Sequence, residues 1–423
     1  MTSPRSSRFE IVAGMRSMMQ PRHDSFVPSW YSDNILSMFS RRTGWNLETN
    51  SFTLAVQEHL RQGRELLDLT IANPTQAGLE YDTATIVSAL GNPASLTYDP
   101  QPRGLLVARE AVSDYYRELG VSVPADSLIM TTSTSEAYSF VFRLLCDPDD
   151  EILLPSPSYP LFEFLAQIQD VKLVPYELVY DHGWQIDFHS IQQALTGRTR
   201  AIILVNPNNP TGSFVRSAER EQLNEICHER SLALVVDEVF FDFNLSGERF
   251  ETFAGNDEAL TFTLSGLSKV SGLPQMKVAW IASSGPGEIL KPALERLEVI
   301  ADTYLSMNAP IQQAIPTLLE QRRKFQSQLM ERLRMNLAEL DRQLAAQKVC
   351  TRLNVDGGWY AILRVPVTQT DEALAIELLA MKGVLVHPGH FFDFGFEGYL
   401  ILSLMTPEAI FAEGVSRILG NFR

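Results

Sequence analysis

The sequence predicts an α/β chain with a mainly parallel central sheet, followed by a smaller α+β unit, and three observations carry that expectation. From Leu105 onward, short apolar runs alternate with segments of helical periodicity, as strands and helices taken in turn would. Most of those runs are unbroken, the pattern of strands covered on both faces. After about Asn308 the character shifts to a long charged helical stretch, a turn, a strand and two more helical segments.

The first fifty or so residues mix Pro, Ser and Arg with Trp30, Tyr31 and Trp45, too many large aromatics for a solvated tail, so they read as an arm that packs on something. Helical periodicity runs over 105–119, and strands are expected at 128–131, 151–154, 201–205, 233–236, 260–264 and 278–282. Segments 135–146 and 217–229 are among the covering helices. The charged helix is expected to run from about Asn308 to about Ala345; then come the turn 356–358, a strand, a helix over 372–381 and a last helix from Pro407. A chain of 423 residues exceeds what one core usually organises. The division expected is an arm plus part of a small domain over 1–75, a large domain over 76–308, and the C-terminal small domain over 309–423.

Charge and cysteine content exclude several functions. A net charge of −16 with no basic run argues against a nucleic-acid face. Cys146, Cys227 and Cys350 are odd in number and far apart, which suggests neither a disulfide framework nor a thiolate metal site, and fits a reducing cytoplasm. The start of the chain holds Arg5, Arg16 and Arg22 without a continuous apolar core, unlike a secretory signal. No run reaches the roughly 18 apolar residues of a membrane span.

The chemistry gathers at three successive strand ends. Asn206 to Gly212, reading NPNNPTG, follows the 201–205 strand and forms a rigid turn tipped by a side-chain amide. The next strand ends in Asp237 and Glu238, a carboxylate where a buried run stops. The third carries Ser265, Gly266, Leu267, Ser268 and Lys269, with Lys277 close behind. Ligands in such folds sit beyond the carboxyl ends of the strands. An amide, an acid and an amine among hydroxyls, in that order, suit pyridoxal 5′-phosphate: its aldehyde needs an amine, its ring nitrogen a buried carboxylate, and its phosphate hydroxyls, N–H groups and a cation.

With TTSTSEAY from Thr131, PSPSYPLF from Pro155 and GGWY from Gly357 added, the chain resembles the fold-type I pyridoxal-phosphate enzymes of the class I/II aminotransferase family, from about Tyr98 to the C-terminus. The resemblance implies a transferase-like large domain and a reaction moving an amino group from an amino acid or related amine to an oxo acid. By it, Lys269 forms the cofactor imine and shuttles a proton, Asp237 pairs with the ring nitrogen, Asn209 donates to the ring 3-oxygen and Tyr159 stacks on the ring. Ser133, Thr134 and Ser135 at a helix start, with Ser268 and Lys277, hold the phosphate. Tyr98 reaches the phosphate of a neighbouring subunit, which implies a homodimer with shared sites.

Three positions depart from the family pattern. Phe240 stands where a tyrosine usually donates to the 3-oxygen, so the imine is expected to hold its proton more tightly. Gly266 replaces a phosphate-binding serine. Ile401, in GYLILSLMT, takes the place of the arginine that grips the substrate α-carboxylate. Either another cation compensates, with Arg103 and His390 the candidates, or the substrate lacks a carboxylate there. Asn73, in IANPT, is a further substrate candidate. Two other activities suit the same scaffold: a lyase acting by β-elimination or decarboxylation, and a non-catalytic cofactor-binding sensor.

Overall fold

The computed structural model describes residues 38–305 and 307–422. Trp30, Tyr31 and the early arginines lie outside the described residues. Trp45 lies within them and packs edge-on against Phe164 at 5.6 Å, its Nε1 donating to Gln167 at 2.6 Å.

The strands in chain order are β1 Leu67–Asp68, β2 Leu128–Thr131, β3 Glu151–Ser156, β4 Lys172–Tyr180, β5 Trp184–Ile186, β6 Thr199–Val205, β7 Ala233–Asp237, β8 Thr261–Gly266, β9 Ala279–Ser284, β10 Thr351–Arg352, β11 Tyr360–Arg364, β12 Val384–Leu385, β13 His387–Pro388 and β14 Tyr399–Ser403. Eight of them form one sheet in the order β2-β9-β8-β7-β6-β3-β4-β5. Within it β4, β3, β6, β7 and β8 pair parallel, while β9 lies antiparallel between β8 and β2, and β5 is antiparallel at the edge. The mainly parallel α/β sheet is therefore present, with all six strands expected between 128 and 282 in it.

Side chains of β6 and β7 bury on both faces of this sheet. Ile203 and Val235 join a cluster with helix Thr134–Leu145 and helix Gly287–Tyr304, whereas Ile202, Leu204, Leu234 and Val236 join another with helix Ser217–Arg230. That two-sided burial is why these strands are unbroken apolar runs.

A four-stranded antiparallel sheet, β10-β11-β14-β13, packs against helix Arg322–Ala345 and helix Glu408–Gly420. Helix Asp371–Lys382 lies beside helix Ser51–Arg61, and β1 pairs with β12, so the N-terminal segment joins the C-terminal one.

The single long helix expected up to Ala345 is instead two, Ala309–Glu320 and Arg322–Ala345, meeting at Gln321. Their apolar residues explain the break. Ile311, Ala314, Ile315, Leu318 and Leu319 pack with the β2 and β9 side of the large sheet, while Phe325, Leu329, Leu333 and Leu340 belong to the core of the small sheet.

Candidate active site

Adjacent pairing of β6, β7 and β8 brings the three chemistry-bearing strand ends together. Val205 stands opposite Asp237, and Asp237 opposite Leu264. From these neighbouring ends the chain supplies Asn209, Asp237 and Lys269, and Trp359, just before β11, lies over Lys269 to close a candidate cleft.

Asp237 is buried and accepts two hydrogen bonds, from the Tyr138 hydroxyl at 3.1 Å and the Val239 N–H at 3.1 Å. Burial nevertheless lifts its carboxyl to about 6, against the pull of those two donors and of Lys269. The Lys269 amine lies 4.8 Å from the centre of the Trp359 ring and 5.6 Å from that of Phe240. Desolvation among these groups brings the amine down to about 8, with Asp237 opposing the shift. An acid and an amine thus face each other with their proton affinities drawn toward neutrality.

Asn209 makes no side-chain hydrogen bond to the described protein, and its Oδ1 is closed off from solvent. A buried amide left unengaged is costly unless a ligand takes it up. Its loop is held by the second motif. Gly357 and Asp356 donate backbone N–H bonds to the Gly212 carbonyl at 2.9 and 3.2 Å. Gly212 has φ +70°, and a Cβ there would lie 2.4 Å from the Gly357 oxygen, so NPNNPTG and GGWY dock only because this residue is glycine.

Ser133 caps helix Thr134–Leu145, its hydroxyl accepting from Glu136 N–H at 3.1 Å, so Thr134 and Ser135 form the first turn. Tyr159 is placed by the neighbouring Ser158 N–H, which donates to the Phe392 carbonyl at 2.9 Å; burial raises the Tyr159 phenol. Ser268 and Lys269 sit on the short helix Leu267–Val270. Lys277 is exposed with φ +53°, just before β9 at the same end of the sheet, where Leu267 N–H meets the Val278 carbonyl at 3.0 Å. The absence of a side chain at Gly266 has a packing reason: a Cβ would come within 2.7 Å of the Val278 oxygen and 2.9 Å of Ala279.

The other predicted residues face solvent or have partners of their own. Tyr98 is 81% exposed, outside the cleft of its own chain. Arg103 is not available to a substrate in that cleft: its guanidinium pairs with Glu298 at 2.6 Å and donates to the Asp126 carbonyl at 2.7 Å, running back along β2 away from the strand's carboxyl end. His390 lies against Phe391, with Nε2 4.0 Å from Glu372. Asn73 caps the turn Pro74–Gln76, its Oδ1 accepting from Thr75 N–H and hydroxyl.

Two residues of the cleft went unassigned in the sequence. Tyr138, one turn into the helix that starts at Thr134, reaches Asp237 because that turn faces the sheet; only helical spacing could have flagged it. Trp359 lay in the GGWY string without a role, and it covers Lys269. Glu238 points to the other side of the strand end, where Asn206, Thr252 and the Phe253 N–H hold it.

Comparison with known proteins agrees with this arrangement. A glutamate-pyruvate aminotransferase of Haemophilus influenzae is 27% identical over 344 residues, 78% of this chain and 84% of that protein. An aspartate/prephenate aminotransferase of Thermus thermophilus is 28% identical, covering 87% of this chain and 94% of the relative. In fold, an alanine aminotransferase structure from Pyrococcus furiosus superposes with a TM-score of 0.81 at 24% identity, over 91% of this chain and 99% of that one. The family model for aminotransferase class I and II matches residues 66–418. The lyase alternative finds no support among these relatives. The chain belongs to the class I and II aminotransferase family and is an aminotransferase.

Proposed function

We propose that this aminotransferase carries pyridoxal 5′-phosphate on Lys269 and works as a homodimer in the cytoplasm. The observation that carries the reading is a desolvated amine at a strand end facing a buried acid, with the Asn209 Oδ1 buried and unpartnered in the loop after the neighbouring strand. Bound there, the cofactor would supply an aldehyde carbon to receive the amino group and a protonated ring to draw off electron density.

Lys269, brought to about 8, is partly unprotonated near neutral pH, so it can act as a nucleophile and then hold or return the proton of the carbon bearing the donor's amine. Asp237 would hold the ring N–H, fixed in aim by Tyr138 and Val239. Asn209 would donate to the ring oxygen and Tyr159 would cover one ring face. Ser133, Thr134 and Ser135 offer a helix start to the phosphate, and Ser268 and Lys277 add a hydroxyl and a charge. Trp359 and Phe240 keep water from the amine.

Exposed Leu96 and Tyr98, 91% and 81% accessible in the single chain, are suited to burial against a second copy. Among the described residues no helix is long and apolar enough to cross a membrane, and the three cysteines are unpaired, as suits a reducing compartment. The pairing of β1 with β12 supports a small domain over 309–423 that takes in part of the 1–75 segment, the rest of which is an arm, beside a large domain over 76–308.

The test is a two-substrate assay with added pyridoxal phosphate, comparing wild type with Lys269→Ala. The expected result is amino transfer by the wild type alone; equal activity in both would overturn the assignment.

A further inference from the structure

On an antiparallel sheet, directly opposed residues share a face, and so do residues two apart along a strand. Tyr360 and Ile362 of β11 therefore share a face with Ile401, opposite Ile362, and with His387, opposite Ile401. This face borders the cleft, because Tyr159 packs against the cluster that holds Tyr360 and Ile401, and the Phe392 carbonyl accepts from the Ser158 N–H next to Tyr159. Phe392 completes the wall, with its ring 5.9 Å from His387 and 6.3 Å from Tyr360.

Among the described residues no charge sits on that wall. Ile401 is fully buried and Ile362 nearly so. His387 is buried and neutral near pH 7, since burial lowers its imidazole to about 4, and its Nδ1 has no partner. The next cation along the face, Arg364, is two residues farther out, exposed at the end of β11 opposite Tyr399. Arg103 is engaged by Glu298 and Asp126, and His390 lies beside Glu372. A carboxylate on the reacting carbon would be buried against isoleucine and aromatic rings, in a cleft that already holds Asp237.

We infer that the preferred amino donor is a primary amine with no carboxylate on its amine-bearing carbon, and that Ile401 sets this preference. The inference rests on the proposed cofactor chemistry. The exchange balances as R–CH₂–NH₂ plus the cofactor aldehyde giving R–CHO plus the cofactor amine: the donor carbon loses two electrons and one hydrogen to the cofactor carbon, and the aldehyde oxygen passes to the donor through water. Its partner reaction must supply amines already free of that carboxylate, or consume the aldehydes formed.

The test uses matched donors differing only in the carboxylate, 2-phenylethylamine against L-phenylalanine and ethylamine against L-alanine, with the cofactor spectrum of the holoprotein followed in a single half-reaction. Each amine is expected to convert the cofactor at least about 100-fold faster than its amino acid, which is about 2.7 kcal/mol at 1.36 kcal/mol per tenfold. Calorimetric titration of the holoprotein with 3-phenylpropionate should show no binding in the wild type and binding in Ile401→Arg, whose half-reaction should shift toward L-phenylalanine. Equal or faster conversion by the amino acids would overturn the inference while leaving the cofactor reading intact. Conversion by neither class would overturn both. Should Ile401→Arg fail to fold, the wild-type comparison still decides.

Discussion

Replacing Asp237 with Asn should stabilise the cofactor-free protein while weakening its hold on the cofactor. Burial places this carboxyl at about 6, some two units above its ordinary value of 3.8. At 1.36 kcal/mol per unit, that difference is about 3 kcal/mol. The sign follows from the direction: with the folded value raised, the stabilising contribution of the protonated form is fully present below about pH 4 and is lost as pH rises through about 6. At pH 7–8 the ionised group is therefore a net cost. Asn keeps the acceptor for Val239 N–H, and the Tyr138 hydroxyl can turn to accept from the new amide. Lys269, having lost its attraction to Asp237, gives up its proton at lower pH. Urea unfolding of the cofactor-free wild type and Asp237→Asn across pH 4–8 reads this directly. The variant's midpoint should exceed the wild type's at pH 7–8, by the equivalent of up to about 3 kcal/mol, and the two should converge near pH 4. A gain of equal size at every pH, or a loss at pH 8, would refute the argument that desolvation dominates this carboxyl.

Other expectations concern single groups. Amine labelling of the cofactor-free protein across pH, read by peptide mass, should show Lys269 reacting with a midpoint near 8; an ordinary lysine midpoint would mean that the Trp359 and Phe240 cover is open to water. Asn209→Ala should leave the urea stability of the cofactor-free protein unlowered or raise it, because the buried Oδ1 has no partner to lose, yet weaken cofactor affinity about tenfold or more in a fluorescence titration, the loss of a hydrogen bond to a charged oxygen. Gly212→Ala should lower the thermal midpoint by the equivalent of about 2 kcal/mol or more, since it adds both a strained φ and a 2.4 Å clash with the Gly357 carbonyl.

The two-sided burial that makes β6, β7 and β8 readable as apolar runs also aligns their ends, so the fold and the central site were legible from the same residues. Strand β4, next to the edge, was not, because it carries Lys172, Pro175 and Glu177 and is largely open on its faces; the edge strand β5, of three residues, leaves no periodicity to read. The break at Gln321 was hidden because both flanking helices have helical spacing, and only the destination of their apolar faces differs. Arg103 and His390 are expected as compensating cations from their charge, and charge alone does not reveal an acidic partner such as Glu298 or Glu372 elsewhere in the chain. Tyr138 was missed for the converse reason: a helix tyrosine reads as core until its hydroxyl is seen to end on an acid.

Most directly, the account depends on Lys269 being the residue that takes the cofactor. Purified protein loaded with pyridoxal phosphate, reduced with borohydride and digested, should yield one modified peptide, carrying the cofactor mass on Lys269. Modification of Lys277 or another lysine in its place, or of none, would contradict it.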